Sequence, residues 1–191
     1  MHAFPGARVA YDPTQGLRRI SGLKQDLGTG THADHVRTVL ERVAPATWPG
    51  IALQAGEVRI EPSRRFTRVE APLLYQGRPI VDAVLTLEFK SFGILSAIGA
   101  NLGPIGGVST TSGEASDDTM RIAACVAVRA ERPAAPCPRQ VAVRRAWYRS
   151  SDGTLKAGAL VTMPSPGLDH VPEVLLDASG EAVWTRDRVR H

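Results

Sequence analysis

The feature that most constrains the fold is an alternation of apolar and polar residues over positions 80–89. Side chains of a β-strand point to its two faces in turn, so every second residue lies on the same face. One face would carry Val81, Ala83, Leu85, Leu87 and Phe89, and the other would carry Asp82, Thr86 and Glu88. This pattern predicts a half-buried strand in an antiparallel sheet with one face toward a core and the other toward solvent.

Strand patterns also flank this segment. Short β-like segments are predicted at 7–11 and 17–22, and further strands at 57–61, 66–76 and 94–100, with turns at 76–79 and 90–93. Such short connections are typical of an antiparallel meander, in which each strand pairs with the next. This part of the chain is therefore expected to form a sheet.

A helix of about 12 residues is predicted upstream, at 33–44, where the apolar residues change to a spacing of three and four. Thr31 with Asp34 three positions later resembles a capping box, in which each side chain binds the other residue's backbone N–H. The predicted buried stripe is Val36, Val39, Leu40 and Val43. Pro45 should end the helix, because a proline lacks the N–H that continues it.

The second half of the chain repeats the order of a helix followed by strands, after a loop rich in Gly at 101–107. A second helix is predicted to begin near Ser112 or Ser116. Its predicted buried stripe is Ile122, Ala123, Val126 and Ala130. Further strands are predicted at 139–149, 154–163, 171–177 and 182–189.

A helix followed by antiparallel strands, occurring twice, predicts the α+β class. We expect two consecutive units, residues 1–104 and 105–191, each a helix packed on a curved antiparallel β-sheet. The predicted core includes Val36, Leu40, Val43, Val81, Leu85, Leu87, Ile122, Val126, Leu160 and Leu175.

Composition and charge argue against several function classes. Hydrophobic residues make up 43% of the chain, and no apolar stretch approaches the roughly 18 residues of a membrane-spanning helix. The net charge of +4 and the pI near 9.5 come from residues spread along the chain, so we do not expect nucleic-acid binding. The first 13 residues lack the basic and apolar regions of a signal peptide.

No catalytic or metal-binding motif is found. The chain lacks the zincin, nucleophile-elbow, P-loop and dinucleotide-binding signatures. Its five histidines are scattered, and His32 with His35 forms an isolated pair without a third ligand, which is more typical of a surface than of a metal site. We therefore expect a protein that is not an enzyme and that holds no cofactor and no metal.

The two cysteines, Cys125 and Cys137, do not have the spacing of a metal site. In an oxidising compartment they would close a loop of about a dozen residues and add about 2–3 kcal/mol of stability. The alternative is two unpaired thiols, one of them buried in the second helix.

Several segments occur in an order that matches a known kind of protein. The first half contributes Leu17–Gly22, the helix at 33–44, the run Tyr75–Ile80 with its strand, Phe92-Gly93 and Asn101–Pro104. The second half contributes the helix from Ser112, the strand with Trp147 and the turn Asp177–Glu181. This series resembles the propeptides of thermolysin and fungalysin zinc metallopeptidases, which have an FTP-type part followed by a PepSY-type part.

The resemblance implies a non-catalytic prodomain that acts as an intramolecular chaperone and inhibitor and keeps its enzyme a zymogen. The partner would be the domain of a secreted, thermolysin-like zinc metallopeptidase, in cis or after cleavage. That domain would supply the zinc ligands and the catalytic glutamate. The implied location is secreted or periplasmic. The alternative is a free-standing binding or scaffold protein of the PepSY type in the periplasm or at the cell surface.

The remaining candidate residues lie in turns and at the C-terminus. Gly77, Pro79, Asp177 and Gly180 suit fold-defining hairpin turns rather than chemistry. By the same resemblance, an extended tail would leave the body and lie along the partner's active-site cleft, with His191 nearest the zinc. This tail consists of Arg186, Asp187, Arg188, Val189, Arg190 and His191. The alternative is a frayed basic terminus that contacts nothing.

Overall fold

The computed structural model describes residues 7–12, 16–91, 93–109, 113–133, 135, 137–138, 141–163 and 170–189. These residues contain twelve β-strands and two α-helices. The chain divides into two compact units, Met1–Gly106 and Gly107–His191. The boundary expected from the sequence, after residue 104, lies slightly earlier.

The described residues of the N-terminal unit form one helix and seven strands. They are β1 (Arg8–Asp12), β2 (Gly16–Asp26), α1 (His32–Thr47), β3 (Leu53–Ala55), β4 (Arg59–Pro62), β5 (Thr67–Tyr75), β6 (Arg78–Ser91) and β7 (Ile94–Ala100). The strands form an antiparallel sheet in the order β1-β2-β7-β6-β5. β3 and β4 both pair with β5 on its remaining side.

Helix α1 begins with the expected capping box. The Asp34 N–H donates to Thr31 Oγ1 at 3.2 Å, and the Thr31 N–H donates to Asp34 Oδ2 at 3.0 Å. The prediction that Pro45 ends the helix is wrong, because Pro45 lies within its last turn. The Trp48 N–H donates to the Ala44 carbonyl oxygen at 2.8 Å, which carries the helix to Thr47.

The core face of the N-terminal sheet follows the predicted alternation along most of β6. Leu85 and Leu87 are fully buried, and Val36, Leu40 and Val43 of α1 are buried as well. The alternation fails at the start of the strand. Asp82 has a φ of 59°, which interrupts the regular pleat.

This interruption corrects one predicted core residue. Ile80 and Ala83, three positions apart, are the buried residues on either side of Asp82, each 2% exposed. Val81 is only partly buried, so its assignment to the core is wrong. An irregular pleat changes which residues share a face, and a sequence pattern of period two does not reveal it.

In the C-terminal unit, the part that the structure describes forms one helix and five strands. They are β8 (Gly107–Ser109), α2 (Asp117–Glu131), β9 (Ala142–Arg149), β10 (Thr154–Thr162), β11 (His170–Asp177) and β12 (Ala182–Val189). Strands β9 to β12 pair antiparallel in sequence order, and β8 pairs parallel with the start of β10. α2 packs on one face of this sheet, against Ala159, Val161, Val174 and Leu176.

The predicted buried stripe of α2 is wrong. Ile122 and Val126 are 67% and 63% exposed, whereas the buried residues of this helix are Met120, Ala124, Cys125 and Val128. Apolar residues occur almost all around this helix, so their spacing alone does not define the buried face. The predicted core residues Leu160 and Leu175 of the sheet are buried.

The predicted α+β class, with two regular helix-on-antiparallel-sheet units, is wrong. Twelve strands against two helices make the described part of the chain mainly β. Segments outside the predicted meanders also pair as strands, including the long β2 and the short β3 and β8. The C-terminal sheet is mixed rather than antiparallel, because β8 joins it in parallel. No helix in the described segments is both long and apolar enough to cross a membrane.

Candidate binding groove

An apolar groove of 790 Å³ lies between α1 and the segment that follows it in the N-terminal unit. Its lining includes the buried residues Leu40 and Trp48. Further apolar lining comes from Ala33, Ala44, Ile51, Leu53, Ala55 and Val58. Arg37, Glu41 and Gln54 are the longer polar residues around it. A concave, mainly apolar site of this size is typical of ligand or peptide binding.

Trp48 fixes the chain at the end of α1. Its side chain is 0% exposed, and its indole N–H lies 3.3 Å from the Leu102 carbonyl oxygen and 3.1 Å from that of Gly103. A buried tryptophan needs a partner for this donor. The hydrogen bonds therefore connect the groove to the loop that ends the N-terminal unit.

The opposite side of the groove is formed by a strand at the margin of the sheet. Among the described strands, β3 pairs with β5 alone. The Gly56 N–H donates to the Pro72 carbonyl oxygen at 2.8 Å and holds the end of β3 against β5. A side chain at Gly56 would bring its Cβ to 2.9 Å from Pro72 Cγ, so this close approach favours glycine.

The groove therefore combines two features that bind an extended polypeptide. Apolar walls accept side chains, and the three-residue marginal strand offers backbone groups for pairing, apart from the Leu53 N–H, which donates to the Ile51 carbonyl oxygen at 3.1 Å. Its rim charges have both signs, so it does not select strongly for an anion or a cation.

A second, polar cavity of 340 Å³ lies on the other face of the same sheet. Arg19 Nη2 lies 2.6 Å from Glu88 Oε2, and Arg68 Nη2 lies 2.6 Å from Glu70 Oε1. Small residues such as Gly99 line it between these pairs. Because each charge already has a partner of opposite sign, this cavity is weaker evidence for a binding site than the groove.

The two histidines of α1 lie against the core rather than on the surface. The ring of His32 lies 5.5 Å from that of Phe89 and 6.2 Å from that of His35. His35 is 2% exposed, so the expectation of a surface pair is wrong for it. Burial and, second, the charge of His35 lower the pKa of His32. In the part of the chain that the structure describes, no three His, Cys, Asp or Glu residues are grouped to hold a metal ion.

The candidate turn residues lie in two separate hairpins, one in each unit. Gln76 and Gly77 have φ values of 50° and 73°, which is typical of a two-residue turn between β5 and β6. Pro79 lies opposite Leu74 at the start of β6. The structure therefore uses these residues to connect strands.

The second candidate turn connects β11 to β12. Asp177 Oδ1 accepts the N–H groups of Ser179 and Glu181, each at 2.9 Å, and Gly180 has a φ of 96°. Burial raises the pKa of Asp177, but the hydrogen bonds, first of all that of the Ser179 side chain, outweigh it and hold the pKa below its usual value.

The cysteines form a disulfide in the structure. Cys125 of α2 is bonded to Cys137, twelve positions later in the sequence, with Cα atoms 5.6 Å apart. The bond fixes the Pro-rich segment after α2 to a buried residue of the helix.

The described part of the candidate tail does not leave the body. Arg186, Asp187, Arg188 and Val189 lie in β12 and pair with β11, so the prediction of a free extended tail is wrong for them. Strand pairing with β11 satisfies backbone groups that a free tail would leave to water. Arg190 and His191 lie outside the described residues, and their place in a partner's cleft stays a prediction.

Side-chain contacts add to this attachment. Arg186 Nε and Nη2 lie 3.0 and 2.9 Å from Glu173 Oε2, and Arg188 Nη1 lies 3.5 Å from Glu173 Oε1. Glu173 is 1% exposed. Asp187 pairs with Arg132 at the end of α2.

Sequence reasoning missed both the groove and Glu173. The groove depends on β3, whose three residues are too few to show a period of two. Glu173 had a usable signal, because a glutamate within a predicted apolar strand needs a cationic partner if it is buried. Two arginines at 186 and 188 were available two strand positions apart.

No protein-family model matches the chain, and no curated protein matches it.

Proposed function

We propose that this chain is a non-catalytic prodomain that assists the folding of a secreted, thermolysin-like zinc metallopeptidase and then inhibits it. The observation that carries the proposal is the groove beside β3, which can hold an extended segment of a partner. The ordered resemblance of the sequence supplies the kind of partner.

The groove suits both parts of this role. Proteins with many non-local strand pairings fold slowly, so a preformed strand beside an apolar groove could hold one segment in place while the rest assembles. The same contact would persist after folding and would block the enzyme by occupying its surface. The role requires no catalytic group, metal or cofactor in the prodomain, and it implies a secreted or periplasmic location.

The direct test is inhibition of a purified thermolysin-like peptidase by the full chain. We expect inhibition of peptide hydrolysis at micromolar concentration or below. The Ala44→Arg variant places a charged side chain in the groove, so we expect inhibition at least tenfold weaker, about 1.4 kcal/mol. Inhibition by the unaltered chain at millimolar concentration alone would contradict the proposal.

A matched control separates the groove from general charge. Ala130→Arg makes the same substitution at an exposed position of α2, in the other unit. This variant should inhibit as the unaltered chain does. Equal weakening by both variants would show that the groove is not the contact surface.

The second candidate is the free-standing binding or scaffold protein. The groove favours this candidate because an extended segment of another protein could bind between the same apolar walls. Binding of the peptidase without inhibition, lost in Ala44→Arg, would support this candidate over the prodomain.

A further inference from the structure

The 186–188 stretch of β12 presents more positive than negative charge to solvent, although the exposed Glu181 precedes the strand and the exposed Glu131 is the sequence neighbour of Arg132. Arg188 and Arg186 are 71% and 41% exposed in their side chains, whereas their shared partner Glu173 is 1% exposed. Arg132 is 54% exposed and its partner Asp187 25%. The carboxylates therefore lie beneath the guanidinium groups, and the outward charge is cationic although the pairs are nearly balanced.

β12 also has backbone groups available for pairing. Among the described strands, β12 pairs only with β11, so one of its two edges has a strand partner. Val183 lies at the register shift between β11 and β12 and is 44% exposed although it is apolar, so the regular pairing runs from Trp184 onward. A marginal strand of this length is a template for another extended chain, and arginines along it select which chain can approach.

We propose that β12 is a docking edge for an extended acidic segment of a partner protein. The segment pairs with β12 as an additional strand, its acidic side chains face Arg186 and Arg188, and an apolar side chain covers Val183. This proposal is independent of the groove and of peptidase inhibition, because it concerns a different unit of the chain.

A peptide fits this edge better than a single-stranded nucleic acid. Proteins that bind single strands combine cationic grooves with open aromatic faces on which bases stack. Trp184 is the aromatic residue on this strand, and the Arg186 guanidinium carbon lies 4.4 Å from the centroid of its ring. The stacked guanidinium leaves that face of Trp184 closed to a base.

The test measures binding of a fluorescent peptide of alternating valine and glutamate to the full chain by anisotropy. We expect binding that weakens with added salt, and binding at least tenfold weaker for the matching valine–lysine peptide. A valine–glutamate peptide interrupted by prolines should also bind at least tenfold more weakly, because it cannot pair as a strand. Equal binding of all three peptides would overturn the proposal.

Two variants locate the site. Arg188→Gln removes an exposed charge while Arg186 still satisfies Glu173, and we expect peptide binding at least threefold weaker. Arg64→Gln removes the same charge from an exposed position of the N-terminal unit and should leave binding unchanged. Circular dichroism confirms that both variants fold. Equal effects of the two substitutions would overturn the assignment to β12.

Hydrogen exchange gives a readout that does not depend on a variant. Peptide binding should slow amide exchange within 182–189 of the unaltered chain. Protection confined to another segment would overturn the proposal, as would tighter binding of a single-stranded oligonucleotide than of the acidic peptide.

Discussion

Among single residues, His32 links the fold to pH near neutrality. Burial and His35 lower its pKa from the ordinary 6.5, so the unfolded chain binds a proton before the folded one does. Stability from this group is therefore complete above about 6.5 and is lost as the pH falls toward the lower folded pKa. We expect the melting temperature to fall from pH about 7 to about 5, and His32→Gln to flatten this slope.

A carboxylate supplies the internal control for that measurement. The Ser150 hydroxyl and the Thr154 N–H hold the pKa of Asp152 at about 2, below its ordinary 3.8. Its stabilisation is present above about 4 and is lost toward pH 2. His32→Gln should leave this lower window unchanged. If the melting temperature of the variant still depends on pH near pH 6, a group other than His32 causes that dependence.

Between elements, β10 and β11 approach each other closely at Gly158. A Cβ added there would collide with the Leu176 carbonyl oxygen and lie 3.1 Å from Tyr148 Cε1. Backbone atoms of a paired strand cannot move aside without distorting the strand pairing. We therefore expect Gly158→Ala to lower the free energy of unfolding by about 1–3 kcal/mol. Chemical denaturation measures this change.

Gly106→Ala is the matched control for that substitution. Its added Cβ would meet no atom within 4 Å, and its φ does not lie in the left-handed region. We expect stability within about 0.5 kcal/mol of the unaltered chain. Equal destabilisation by the two variants would mean that the strand approach at Gly158 is not the cause.

For the whole molecule, the sequence predicted individual helices and strands better than it predicted the proportion of helix to strand. β6 and α1 were found because each has a strong local signal, alternation over 80–89 and the pair Thr31 and Asp34. The α+β class failed because short or irregular strands carry no such period. β3 and β8, with three residues each, show this limit.

The buried faces and the groove depend on tertiary contacts, which local patterns do not encode. α2 has apolar residues on several faces. The position of the sheet therefore determines that Met120 is buried and that Ile122 is exposed. The groove lining is assembled from a helix and the segment after it, and one lining residue, Trp48, is hydrogen-bonded to residues 102 and 103. The spacing of residues along the sequence does not reveal that Trp48 will contact residues more than fifty positions away.

The enclosed indole of Trp48 has a spectroscopic consequence. It is the single tryptophan of the N-terminal unit, since Trp147 and Trp184 belong to the other unit. Replacing those two by phenylalanine would leave one emitter, shielded from water and hydrogen-bonded to carbonyl oxygens. Its emission should be blue-shifted in the native protein and should move to longer wavelength when the N-terminal unit unfolds. The emission wavelength would therefore report on the unfolding of that unit alone.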